Sequence, residues 1–169
     1  MARIYSESLS HKSSTNPTKG AFMADETEQY FEEISELRIY KKINREFCGE
    51  LVLPLERNRA MVKFVPTEKM ITDDKMLIHY GFIFNSASFC AMAAVNEPNS
   101  IIIYSEVKFL SPVELGNEVI FKANALHSDL KKREISVEGF MYNVKIFDAI
   151  FHIVVFEKSL FQIDFSKVR

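Results

Sequence analysis

The most prominent feature of the hydrophobic pattern is a long stretch without charge. From Leu77 to Asn96 no residue carries a fixed charge. His79, Gly81, Asn85, Ser86 and Ser88 interrupt the run. It is therefore short for a bilayer, which takes about twenty mostly apolar residues. A helix apolar nearly all round is otherwise the buried axis of a globular core, so a central helix is predicted from Leu77 to Val95. Beyond it the β-branched and aromatic content rises and the spacing becomes that of strands. Ile101 to Phe109, Glu118 to His127, Arg133 to Tyr142 and Phe147 to Phe156 are predicted strands. They are separated by the Asn96–Ser100 turn, the Ser111–Asn117 corner and the Ser128–Lys132 hairpin loop. Before the helix, Leu51 to Leu55 and Met61 to Val65 read as short strands. Pro54 puts the first at an edge or a bulge. Pro66 to Asp74 is a polar connector. Strands of about ten residues are long, which suits a sheet curling around something. Helices segregated from a run of strands mean α+β.

Upstream, Thr27 to Arg45 has the period of an amphipathic helix, with Tyr30, Ile34, Leu37, Tyr40, Ile43 and Phe47 at three- and four-residue steps. Glu28, Glu32, Glu33 and Glu36 precede Arg38, Lys41, Lys42 and Arg45, an order that complements the helix dipole. Residues 1–25 read as a disordered tail, since Ser13 to Gly20 favours turns and open chain. Met23 can serve as a second start. The expected organisation is a tail over 1–25, an amphipathic linker helix over 26–47, and one domain over 48–169.

Composition narrows the function classes. The chain has 169 residues, of which 47% are hydrophobic and 15 are Phe, and a net charge of −2. That is enough for one globular core. No basic stripe suggests a nucleic-acid partner. Cys48 and Cys90 make no metal-ligand pattern, and Cys90 in the apolar helix reads as a small hydrophobe. No apolar signal region follows the start, so a cytoplasmic protein with reduced thiols is expected.

Two motifs lie on this framework. His79-Tyr80-Gly81 opens the central helix, and Pro112-Val113-x-x-Gly116-Asn117 forms the corner after the next strand. Together they resemble the hotdog-fold acyl-CoA thioesterases, whose usual forms are His-Gly-Gly and Pro-Val-x-x-Gly-Asp. The similarity covers about Gly49 to Phe156. Within that superfamily the nearest likeness is to the acyl-CoA-binding domain of bacterial fatty-acid and phospholipid synthesis repressors. It rests on the spacing from Gly49-Glu50 to Val107-Lys108-Phe109 and on the amphipathic helix in front. No helix-turn-helix pattern precedes that helix, so DNA binding is not carried over. The resemblance implies a hotdog fold: a long central helix wrapped by a curved antiparallel sheet. It also implies a homodimer, possibly a higher assembly, with the ligand held between subunits.

Thioester hydrolysis needs a carbonyl polariser, a carboxylate and an apolar site for the acyl chain. The Tyr80-Gly81 backbone at the helix start is a candidate for the first, since Gly81 permits close approach; tight helix packing is the other reading of that glycine. Asp73 and Asp74 are candidate catalytic carboxylates, as in the 4-hydroxybenzoyl type of thioesterase, or else a cap and a solvated turn. Asp74 and His79 also have the Asp-x-x-x-x-His spacing of hotdog enoyl-CoA hydratases, without that family's intervening Asn-Pro. One thioesterase subgroup carries a carboxylate in the helix nine residues after the motif His, and Ser88 stands there. His79, Tyr80, Gly81, Phe82, Asn85 and Ser88 are the candidate ligand-binding residues. Asn85, Ser86 and Ser88 either line a pocket, bridge a dimer, or bond a neighbouring carbonyl. His127 and His152 read as structural or exposed, and the many Phe as mostly core.

Three functions follow. The first is an acyl-CoA or acyl-carrier thioester binding protein of fatty-acid metabolism with little or no hydrolysis, needing no metal or further cofactor. The second is an acyl-CoA thioesterase using Asp73 or Asp74. The third is a structural or regulatory dimer without ligand.

Overall fold

The computed structural model describes residues 33, 34, 36–126 and 131–158. The tail over 1–25, His127 and most of the hairpin loop lie outside them. In chain order the elements are β1 (Glu33–Ile34), α1 (Arg45–Cys48), β2 (Glu50–Leu51), β3 (Leu55–Glu56), β4 (Arg59–Phe64), a 3-10 turn (Glu68–Met70), α2 (Tyr80–Val95), β5 (Ser100–Phe109), β6 (Val119–Ala125), β7 (Lys132–Met141) and β8 (Val144–Val155). Among the described residues the strands form a single antiparallel sheet in the order β1-β3-β4-β6-β7-β8-β5, with β2 beside β4. The α+β class and the strand run expected from the sequence are present.

The sheet's inner face holds α2. Phe64, Phe89, Phe121, Phe147 and Phe151 are fully buried in this core. Ten of the sixteen helix residues are buried, and from Phe89 to Val95 burial is continuous. Ala91, Ala93 and Ala94 lie in that half, where small side chains let the sheet approach the helix. Burial pushes the Cys90 thiol far up, and its Sγ lies 3.4 Å from the Ala60 carbonyl oxygen and 3.6 Å from that of Phe121. A buried thiol of this kind is a core residue and not a nucleophile.

Gly139 lets the sheet close beneath the helix. It pairs with Phe147 on one side and Phe121 on the other. A Cβ there would lie 2.8 Å from Phe121 Cε1 and 2.9 Å from Phe147 Cβ. The rings of Phe121 and Phe147 meet edge-on over the glycine, with centroids 5.6 Å apart. The β7–β8 register shifts just after Gly139, as glycine in a strand commonly allows.

Two expectations are corrected. The central helix begins at Tyr80, not Leu77: Leu77 and Ile78 form isolated bridges with Glu114 and Ile71, so their apolar side chains belong to extended backbone. The amphipathic helix does not form in the described part of its range. Glu33 and Ile34 pair with β3, and no helix occurs between Glu36 and Asn44; only Arg45–Cys48 makes a helical turn. The cause is tertiary. Asn96, in the left-handed conformation that ends α2 (φ 46°), accepts the Arg38 N–H on Oδ1 at 2.7 Å and donates from Nδ2 to the Glu36 carbonyl at 3.0 Å. Tyr40 has φ 49°, which no α-helix continues through. Backbone groups that the periodicity assigned to a helix are instead bonded to Asn96 and to β3.

Candidate functional site

The two sequence motifs meet in space. The corner Val113–Asn117 docks on the connector before α2: Ile78 N–H donates to the Val113 carbonyl at 2.9 Å and Leu115 N–H to the Met76 carbonyl at 2.9 Å. Asn117 N–H closes a turn on Glu114 at 3.2 Å, with Gly116 at φ 90°, where glycine costs nothing. The corner thus braces the start of α2.

At that start His79 is the N-cap. Its Nδ1 accepts the Gly81 N–H at 2.9 Å. A Cβ on residue 81 would sit 2.8 Å from that same Nδ1. The His-x-Gly step therefore has a local explanation: glycine leaves room for the imidazole to fold back on the helix. It also has a chemical consequence. The Gly81 N–H, the sequence candidate for polarising a carbonyl, is already engaged, and an incoming oxygen must displace His79 to reach it. Replacing His79 with Ala is expected to cost about 1 kcal/mol, the usual value of a lost N-cap, and Asn is expected to recover most of it. Urea midpoints check this; an Asn variant as weak as the Ala variant removes the capping role.

The other candidates are held in three ways. Asp73 Oδ1 accepts Lys75 N–H at 3.0 Å and Leu77 N–H at 3.4 Å, tying its own turn, while Asp74 is exposed. Neither carboxylate bonds His79. Asn85 Nδ2 donates to the Phe47 carbonyl at 2.8 Å, which moors α1 to α2. Ser86 Oγ donates to the Phe82 carbonyl at 3.0 Å and Ser88 Oγ to the Asn85 carbonyl at 2.9 Å. These helix hydroxyls are satisfied within α2. Phe82 lies half-buried between Phe47, at 5.7 Å, and His79, at 6.2 Å.

What the structure brings to His79 and Gly81 is an aromatic ledge. Tyr80 is 49% exposed, and its ring meets that of Phe109 at 4.9 Å; Phe109 is 43% and Leu110 54% exposed. The sequence reads the many Phe as mostly core, and Phe109 is one that the structure places at the surface. It ends β5, and strand alternation alone does not say where a sheet stops covering its own inner face. A separate groove of about 660 Å³ lies on the opposite, outer face of the sheet, lined in part by Leu53, Met61, Lys122 and Asn124. None of the sequence candidates lines it.

No family model matches the chain. Among solved structures, Cj0977, a sigma28-regulated virulence protein from Campylobacter jejuni, is 30% identical with a TM-score of 0.73, covering 75% of this chain and 89% of that one. The HP0420 homologue from Helicobacter felis is 35% identical with a TM-score of 0.68, covering 72% and 88%. This chain belongs to the hotdog superfamily. Other hotdog proteins share the fold alone, at lower identity. One is smu.793 from Streptococcus mutans bound to acetyl CoA, 16% identical with a TM-score of 0.61 over 75% of this chain and 98% of that one. Among curated proteins, methylthioribose-1-phosphate isomerase of Aquifex aeolicus is 40% identical over 119 residues, 70% of this chain and 26% of that protein. Transcription factor FapR of Caldanaerobacter subterraneus is 25% identical over 134 residues, 77% and 64%. The chain thus spans about a quarter of the isomerase and just under two thirds of FapR. Among the described residues no helix is long and apolar enough to cross a membrane.

Proposed function

We propose that this hotdog protein binds an acyl-CoA or related acyl thioester at the start of α2, with little or no hydrolysis. The observation that carries the reading is the pairing of an exposed, His79-capped helix start with an exposed apolar ledge. With Nδ1 holding the Gly81 N–H, the exposed His79 ring keeps Nε2 for a carbonyl, and Tyr80, Phe109 and Leu110 present surface to an acyl group. The acetyl-CoA complex of smu.793 supports the ligand class. Against efficient hydrolysis stand the commitment of Asp73 to its own turn and the self-bonded Ser88 hydroxyl. His79, Tyr80, Gly81 and Phe82 are proposed as ligand contacts, and Asn85 and Ser88 as the supports of that end of the helix.

The protein is proposed to work as a homodimer. Strand β5 is the edge of the sheet, ten residues long, with Ile103 and Tyr104 more than half exposed. An exposed apolar edge favours pairing with another copy. A two-fold β5–β5 contact would bring the second subunit close to the ledge.

Titration calorimetry with acetyl-CoA and a thiol-release assay on the same protein test this. Binding with negligible thiol release is expected. Turnover that disappears in Asp73→Asn, Asp74→Asn would replace the binding reading with the thioesterase one. A second reading, a structural or regulatory module, is favoured by the isomerase match, in which the similar segment is a minor part of a longer enzyme. No binding of acetyl-, octanoyl- or hexadecanoyl-CoA at high micromolar concentration selects it.

A further inference from the structure

We infer that two copies of the chain join along β5 in one register, with Val107 on the two-fold axis and Glu106 of each subunit facing Lys108 of the other. The inference rests on the homodimer reading above and deepens it.

Among the described residues β5 ends the sheet, and its covered side is paired with β8. Just past the Phe109–Phe147 pair, the Leu110 N–H donates to the Ile146 carbonyl at 2.8 Å. Hydrogen bonding alternates along an antiparallel strand. Lys108 and Glu106 therefore turn their backbone groups to β8, and Phe109, Val107 and Ser105 turn theirs to the free edge. Side chains alternate as well. Ser105, Val107 and Phe109 stand on the inner face, opposite the buried Phe151, Ala149 and Phe147, and Glu106 and Lys108 stand on the outer one.

Few registers suit such an edge. A two-fold pairing that keeps both faces continuous puts one residue on the axis, where it meets its own copy. It must also avoid the break between Ile102 and Tyr104, where the β5–β8 register shifts. A bulge bends the edge and interrupts its row of free groups. With Tyr104 or Ser105 on the axis the contact runs across that bulge. With Phe109 there, half of it lies past the end of the strand. With Glu106 two carboxylates meet, and with Lys108 two ammonium groups; like charges directly opposite are destabilising. Val107 on the axis leaves a paired stretch from Ser105 to Phe109, clear of the bulge. It sets Glu106 against the partner's Lys108 twice. Both side chains are 62% exposed, and within one strand they approach only to 3.9 Å.

This register completes the ledge. It puts the partner's Ser105 opposite Phe109, with Cβ atoms about 5 Å apart. The partner's Ser105 then stands at the foot of the surface formed by Tyr80, Phe109 and Leu110 and adds a hydroxyl to it.

Single cysteine substitutions in the full chain read the register. Cys48 and Cys90 are buried and stay out of the reaction. On mild oxidation Val107→Cys is expected to give a disulfide-linked dimer at least tenfold faster than Ser105→Cys, Glu106→Cys or Lys108→Cys, since only the axial residue lies within disulfide reach of its own copy. A dimer in which another position links fastest, or none links, overturns the register. If Val107→Cys does not fold, a mixture of Ser105→Cys and Phe109→Cys decides, because this register makes those two positions partners. Charge reversal reads the cause. By sedimentation, Glu106→Lys and Lys108→Glu are each expected to raise the dimer Kd at least tenfold, and the two together to return it to within about threefold. Single variants as tightly dimeric as the unaltered protein, or a double variant no tighter than the singles, overturn the role of the two charges. An unaltered chain that is monomeric at every concentration overturns the homodimer reading itself, and leaves the acyl-thioester reading to its own titration.

Discussion

Gly139→Ala is expected to destabilise the protein by about 3 kcal/mol, at the upper end of what one added methyl costs in a packed core. The added carbon has nowhere to go. It meets Phe121 Cε1 at 2.8 Å and Phe147 Cβ at 2.9 Å, and the second of these is fixed to the backbone of β8. Phe121 cannot turn away either, since its ring is fully buried against Phe147. Gly139→Val is expected to be worse. Urea unfolding measures both. A midpoint for Gly139→Ala equal to that of the unaltered protein would show that the packing of Phe121 against Phe147 is loose.

Asn96→Ala is expected to cost a similar amount, about 3 kcal/mol, from two sources. It removes two hydrogen bonds that leave the Arg38 N–H and the Glu36 carbonyl without their partner, at roughly 1 kcal/mol or more each. It also places alanine at φ 46°, where asparagine is better tolerated. Asn96→Gly separates the terms, because it relieves the backbone cost and keeps the loss of the amide. The Gly variant is expected to be more stable than the Ala variant by about 1 kcal/mol. Hydrogen exchange gives a second readout: the Arg38 amide is expected to exchange faster in both variants. Unchanged exchange at Arg38 would mean that Asn96 is not what holds the 36–38 segment. Glu97 extends this anchorage, with Arg38 Nη1 at 3.3 Å and Arg133 Nη2 at 3.9 Å from its carboxylate. The exposed Arg38–Glu97 pair contributes less than the buried amide.

The candidate site was half legible in the sequence. His79 and Gly81 stand out because the motif places them at the start of an uncharged run. Their contact, however, is local: the imidazole caps its own helix. Asn85 and Ser88 were visible as polar groups on a buried helix, but a periodic pattern cannot say whether such groups face a ligand or a carbonyl. The nearest carbonyls, of Phe47 and of Asn85 itself, satisfy them. The sequence does not single out Phe109 among the Phe as a surface residue, because exposure at the end of β5 depends on how far α2 covers the sheet.

The sequence by itself determined the central helix, the four long strands after it and the α+β class. Each follows from the spacing of apolar side chains, which is a local property of the chain. It also determined the Pro-Val-x-x-Gly-Asn corner, because a positive φ at Gly116 is written in the residue. Only the tertiary structure decided the fate of residues 36–44. Their pattern suits an amphipathic helix, and a helix there would be stabilised by its own hydrogen bonds alone. Asn96, more than fifty residues away, offers the same backbone groups partners within the folded core. Only the tertiary structure, too, brought Phe109, Phe147 and Phe121 together, since cross-strand register joins rings from three strands, with Gly139 of a fourth between two of them, that no local pattern connects.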